Sequence, residues 1–268
     1  MELELNGKRA LVTGSSSGIG AAIARTLAAE GCAVVVTGRN PERTRSVADS
    51  IRATGATVAD VVGDLATDEG AEVVASAAVD ALGGIDILVN NAGGGAEVEN
   101  PSWFTTDLSA WIDTYQKNVM AAGRLIHQLV PAMRDRGWGR VVQIGSMAGT
   151  VPTSAQPDYA AAKAAMLAMS LGLSKALKGT GVTVNTVTPG MIDTEGLQDF
   201  LKAFAAKRGW DDVQQAADHI LKGTGQTVLR IGRPEDVAHA VAYLASPIAD
   251  FVNGVNIHMD GGGTANIY

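Results

Sequence analysis

A chain of 268 residues with 46% hydrophobic but only 4% aromatic side chains, and 32 glycines, fits one α/β domain whose core is built from Ala, Val, Ile and Leu. A formal net charge of -7 and a pI near 5.1 argue against nucleic acid and against an anionic membrane surface as partners. The single cysteine, Cys32, excludes an internal disulfide and a thiolate metal cluster, and the four histidines lack ligand spacing, so no metal site is expected.

No signal-peptide pattern opens the sequence and no apolar stretch reaches membrane-spanning length, which points to a cytoplasmic protein. The first apolar run predicts a strand over residues 9–13. Directly behind it, Thr13-Gly14-Ser15-Ser16-Ser17-Gly18-Ile19-Gly20 opens a helix over 18–30. Glycines let the backbone turn sharply and approach a pyrophosphate, and the helix N-terminus adds free N–H groups, so this turn is a candidate anion cradle. A second strand (33–37) leads through Gly38 and Arg39 into a helix over 41–54, with Pro41 suited to its first turn. A third (57–62) runs to Asp64 and Leu65 before a helix over 68–82, and a fourth (85–89) runs into Asn90-Asn91-Ala92-Gly93. One long helix is expected over 108–136, carrying Asn118. The fifth strand (139–144) precedes Ser146, and the helix over 157–178 carries Tyr159 and Lys163. The sixth (182–187) leads to Pro189-Gly190.

Residues 191–233 break the rhythm with two helical patterns and read as an insertion beside a site; a helix over 234–245 and a seventh strand over 254–258 complete the chain. The alternation predicts a single doubly wound, Rossmann-type α/β domain over residues 1–268, with about seven parallel strands and helices on both faces.

Tyr159 and Lys163 are four residues apart, so on a helix they share one face. A free tyrosine holds its proton to a pKa of about 10, and a nearby ammonium lowers that by about 1 to 3, which would fit Tyr159 for proton exchange. Ser146 lies at the carboxyl edge of a strand, where open α/β sheets place ligands, and its hydroxyl can donate to a substrate oxygen.

In order along the chain, the Gly14 to Gly20 turn, Asn90-Asn91-Ala92-Gly93, Asn118, Ser146, Tyr159, Lys163 and Pro189-Gly190 resemble the short-chain dehydrogenase/reductase family, near members that reduce 3-oxoacyl thioesters. The resemblance covers nearly the whole chain. It implies hydride transfer between a nicotinamide cofactor and a small-molecule ketone or secondary alcohol, with Asn118, Ser146, Tyr159 and Lys163 catalytic. In that frame Ser146 polarises the carbonyl and Asn118 holds a water that links Lys163 to solvent. Cofactor contacts are implied at Gly14, Ser16, Ser17, Gly18, Ile19, Gly20, Asp64, Leu65, Asn91, Ala92 and Gly93. Tyr159 and Lys163 join them at the nicotinamide, with Pro189, Gly190, Ile192 and Thr194 lying along the ring.

Gly38 stands where NAD enzymes of the family carry an acid, and Arg39 follows, with Arg43 one turn on, so NADP(H) is expected and NAD(H) stays open. A catalytically silent cofactor-binding protein is the other reading. The insertion is expected to act as a substrate lid, with Met191, Leu197, Phe200, Leu201 and Phe204 as apolar contacts. The alanine-rich helix around Tyr159 suits close packing, and the resemblance implies a homotetramer, or a homodimer; from the length of the tail after Asp260 alone, Tyr268 is expected to reach a neighbouring subunit.

Overall fold

Ala10-Leu11-Val12 and Val34-Val35-Val36 are apolar at every position, so the strands they form have to be covered on both faces. The computed structural model, which describes residues 2–95 and 101–264, meets that demand with one seven-stranded parallel sheet. Its strands are β1 (Arg9–Val12), β2 (Ala33–Gly38), β3 (Val58–Val62), β4 (Ile87–Asn90), β5 (Gly139–Ile144), β6 (Val182–Pro189) and β7 (Asn256–Met259). They lie side by side in the order β3-β2-β1-β4-β5-β6-β7. Chain direction across the sheet therefore reverses between β1 and β4, and the carboxyl ends of these two strands flank the crevice in which such sheets bind ligands. All seven strands match the sequence expectation, with ends shifted by one or two residues.

Helices α1 (Gly18–Ala29), α2 (Pro41–Arg52) and α10 (Pro234–Ala245) cover one face, where they meet Val12, Val34, Val36 and Val89. Helices α3 (Asp68–Leu82), α5 (Ala121–Asp135) and α7 (Pro157–Ala176) cover the other, against Leu11, Val35, Leu88 and Val141. Successive residues of one strand thus enter opposite cores, as the two-residue period of a strand requires. In α3 the buried Ala71, Val74, Ala75 and Ala78 follow helical spacing; Thr67 accepts a hydrogen bond from the Gly70 N–H at the start, and Gly83 at φ 72° ends the helix. Leu27 of α1 is fully buried, so Leu27→Ala would cost about 2–5 kcal/mol through lost transfer energy and the cavity left behind.

Two regions differ from the sequence expectation in form. The single helix over 108–136 is instead α4 (Leu108–Tyr115), a π-helical turn (Gln116–Met120) and α5. In that turn the Ala121 N–H donates to the Gln116 carbonyl, five residues back, so one extra residue is accommodated without breaking the helix. A short helix, α6 (Met147–Thr150), follows β5. The insertion forms α8 (Glu195–Arg208) and α9 (Val213–Gly223), a hairpin with its own small core of Leu201, Ala205, Ala216 and Ala217. Its two ends are tied at the base, where Asp193 N–H donates to Gly232 O and Gly232 N–H to Met191 O. Tyr268 lies outside the described residues.

Candidate active site

At the carboxyl end of β1 the chain turns through Gly14, at φ 60°, and Gly18, at φ 53°, before entering α1. A Cβ on Gly14 would stand 2.9 Å from Ala92 Cα, and one on Gly20 2.4 Å from Gly14 O, so only glycine lets the turn approach the end of β4 and close on itself. Asn91 Nδ2 donates to the carbonyls of Thr13 (2.9 Å) and Gly14 (3.1 Å), and the Thr13 hydroxyl accepts from the Asn91 and Ala92 N–H groups. Asn91 and Gly20 are therefore engaged in fixing the turn, Ile19 packs against the core, and none of the three lines the cleft above. Ser17 precedes α1 without a side-chain capping bond, which leaves the helix N-terminus open to an anion.

The cleft is lined by Gly14, Ser16, Ser17, Thr37, Gly38, Arg39, Gly63, Asp64, Leu65, Ala66, Ala92, Gly93 and Lys117. A Cβ on Gly38 would lie 2.6 Å from Ser16 Oγ and 2.9 Å from Thr44 Oγ1, so a side chain here, a carboxylate included, would displace the Ser16 and Thr44 hydroxyls. Arg39 forms no hydrogen bond or ion pair among the described residues, leaving its guanidinium available at the cleft. Arg43 departs from its expected auxiliary role: it pairs with Glu195 at the start of α8. Asp64 closes a local turn by accepting from the Ala66 N–H at 3.0 Å. Lys117, ion-paired with Asp113, is a cleft residue that sequence reasoning missed; its only signal was adjacency to Asn118.

Beside this cleft the four expected catalytic residues come together. Ser146 begins α6 and its hydroxyl accepts from the Ala148 N–H at 3.2 Å; the same hydroxyl acts on Tyr159, whose proton affinity it lowers. Lys163, 3% exposed, donates from Nζ to Ile144 O at 2.9 Å and stands 5.6 Å from the centre of the Tyr159 ring. Asn118 is fully buried in the π-helical turn. Its Nδ2 donates to Thr114 O at 2.7 Å and Gly94 O at 2.8 Å, and its Oδ1 accepts from the Gly94 N–H at 3.2 Å. A Cβ on Gly93 would meet Asn118 Oδ1 at 2.3 Å and Lys163 Nζ at 3.4 Å, so only a glycine lets both side chains close on this point of the backbone.

The balance of proton affinities differs from the sequence expectation. Burial pushes the Tyr159 hydroxyl up from its ordinary value, opposed by the bond to Ser146, rather than Lys163 pulling it down. Lys163 itself is lowered to about 8, because its ammonium is desolvated and has no carboxylate partner among the described residues. Tyr159 is thereby kept a protonated donor at neutral pH, with a cation behind it that is close to titrating.

Past β6, the backbone at Gly190 packs against Asp260, where a Cβ would come within 2.8 Å of its Cα. Ile192 is buried and bridged to Gly232; Thr194 caps α8 by accepting from the Leu197 N–H and lies against Gly18. The insertion thus begins directly over the glycine-rich turn. Leu201, expected to face a substrate, is 1% exposed inside the hairpin's own core, and Phe204 packs against that core beside Trp210. Phe200 remains exposed.

The model of the short chain dehydrogenase family matches residues 8–203. The chain is 36% identical to an uncharacterized oxidoreductase, YvaG, of Bacillus subtilis, with 100% of both chains covered. It is 35% identical to the 3-oxoacyl-[acyl-carrier-protein] reductase of Vibrio cholerae, over 97% of this chain and 98% of that one. Among solved structures, the L-sorbose reductase of Gluconobacter frateurii, complexed with NADPH and L-sorbose, superposes with a TM-score of 0.94 at 33% identity, covering 100% of both chains.

Proposed function

This chain belongs to the short-chain dehydrogenase family, whose members are oxidoreductases acting on CH–OH and C=O groups, and from that premise we propose that it interconverts a ketone and a secondary alcohol with NADP(H), using Tyr159 as proton donor and acceptor. The hydroxyl pair of Ser146 and Tyr159, with Lys163 behind it, carries this reading.

The glycine-rich turn fits a pyrophosphate, since Gly14 and Gly20 let it close tightly against the end of β4 and α1 presents an uncapped N-terminus. Gly14, Ser16, Ser17 and Gly18 would hold that group, Asp64, Leu65, Ala92 and Gly93 the adenosine half, and Pro189, Gly190, Ile192 and Thr194 the nicotinamide half. NADP(H), when bound, supplies or takes up the hydride. In the reducing direction Ser146 donates a hydrogen bond to the substrate carbonyl oxygen, where negative charge develops, and Tyr159 transfers its proton to that oxygen. The Lys163 ammonium steadies the phenolate left on Tyr159, and Asn118, locked by three hydrogen bonds, fixes the surroundings of Lys163.

Arg39 supports NADP(H) over NAD(H): an unengaged guanidinium faces the cleft, and the neighbouring Gly38 carries no acid of the kind that would favour an unphosphorylated ribose. Arg39→Ala is expected to weaken NADPH binding by about 10- to 100-fold, the loss of a charge-assisted hydrogen bond, with NADH unchanged. Equal effects on the two cofactors would overturn the assignment. The ketones to test first are those that the relatives' names supply, a 3-oxoacyl thioester and a ketose.

We further propose a homotetramer in the cytoplasm. Leu108 and Ile112 of α4 and Leu171 of α7 are exposed, and Ala161, Ala164 and Ala168 lie exposed at helical spacing on α7, a surface suited to close packing against a second copy. No helix among the described residues is long and apolar enough to cross a membrane.

A further inference from the structure

The π-helical turn puts Asn118 in place, yet a π turn is an irregular form that needs an outside hold to persist. The hold comes from Thr114 and Asp158. Thr114 is on the last turn of α4, fully buried, and Asp158 is on the first turn of α7, 3% exposed. The Thr114 hydroxyl donates to Asp158 Oδ2 at 2.6 Å, a charge-assisted bond between residues 44 apart in sequence. The carbonyl of the same Thr114 accepts from Asn118 Nδ2 at 2.7 Å. One residue therefore links the side chain of Asn118 to the helix that carries Lys163 and, next to Asp158, Tyr159.

A valine has nearly the shape of threonine, and an apolar residue facing it would fill the same space without burying a hydroxyl and a carboxyl. A polar pair kept here gives direction as well as cohesion, because a hydrogen bond fixes orientation where an apolar contact tolerates sliding. The N-terminal end of α7 lowers the cost of holding Asp158 at this depth, as its dipole favours a negative group in the first turn.

We propose that Thr114 and Asp158 are a positioning pair: their hydrogen bond locks the π-helical turn against α7 and so sets Asn118 at the distance from Lys163 and Tyr159 that proton transfer requires. This rests on the proposed catalytic role of Asn118, Tyr159 and Lys163. Neither residue of the pair touches the reacting atoms.

The test is steady-state turnover of NADPH with a ketone, NADPH affinity by fluorescence titration, and hydrogen exchange of the amides of residues 116–120 in Thr114→Val, Thr114→Ser and Asp158→Asn. Thr114→Val is expected to lower kcat about tenfold or more by misplacing Asn118, with KM and the NADPH dissociation constant within about twofold of wild type and faster exchange in the turn. Thr114→Ser, which keeps the hydroxyl, restores kcat and slow exchange. Asp158→Asn keeps an oxygen acceptor and lowers kcat less than Thr114→Val. Should valine prevent folding, Thr114→Ala carries the same test. An unchanged kcat and exchange rate in Thr114→Val, a serine variant as slow as the valine one, or parallel losses in kcat and NADPH affinity would each overturn the positioning role. Tyr159→Phe separates the two levels: turnover surviving there refutes the catalytic reading, whereas turnover lost there but intact in Thr114→Val refutes only the pair.

Discussion

Replacing Lys163 by methionine is expected to stabilise the protein near neutral pH while stopping turnover. A fall in the lysine pKa from 10.5 to about 8 corresponds to about 3 kcal/mol at roughly 1.4 kcal/mol per unit, the cost of burying the ammonium without a carboxylate partner. Methionine keeps most of the stem's apolar packing, forgoes the bond from Nζ to Ile144 O, worth about 1 kcal/mol, and leaves a net gain of about 2 kcal/mol. The sign follows from proton counts. Because the folded pKa lies below the unfolded one, the unfolded chain binds more protons between pH 8 and 10.5, and wild-type stability rises with pH across that window. Below pH 8 the cost is felt in full. Urea unfolding at fixed protein concentration should therefore show Lys163→Met more stable than wild type near pH 7, with the gap narrowing above pH 8, closing at about pH 10 and slightly reversed above it, where only the lost bond to Ile144 O remains. A gap that does not change with pH, or a variant less stable at pH 7, would refute the reasoning.

The same group sets a rate prediction: kcat/KM for ketone reduction should fall as pH rises through about 8, when Lys163 loses its charge, and a profile flat through that region would contradict its role. Leu171→Glu, on an exposed position of α7, is expected to reduce the assembled mass in light scattering without lowering the thermal midpoint of the resulting smaller species; unaltered mass would move the interface elsewhere.

The sheet was legible because strands buried on both faces leave unbroken apolar runs, and the glycine-rich turn because Gly14 and Gly20 have no substitute at 2.4–2.9 Å from backbone. Tyr159, Lys163 and Ser146 stood out by one helical spacing and one strand end, but their roles came only with the family resemblance of the ordered set of motifs. The π-helical turn was not: a single extra residue between Leu108 and Asp135 leaves composition and apolar spacing nearly unchanged, so the segment reads as one helix. The hairpin misled in another way. Leu197, Leu201 and Phe204 form an apolar stripe whether it faces a substrate or α9, and only the fold shows that it faces α9. Burial also decided the proton affinities of Tyr159 and Lys163, a property of depth that a four-residue spacing does not encode. Arg43 went to Glu195 rather than to the cleft because the insertion brings its first acidic residue within reach of α2.

The central claim, that Tyr159 passes the proton, is tested most directly by Tyr159→Phe assayed with NADPH and a ketone that wild type reduces. The ring and its packing are retained and only the hydroxyl is lost, so NADPH affinity should stay within about twofold while kcat falls by about 10²-fold or more. A Tyr159→Phe enzyme that binds NADPH normally and reduces the ketone at the wild-type rate would contradict the account.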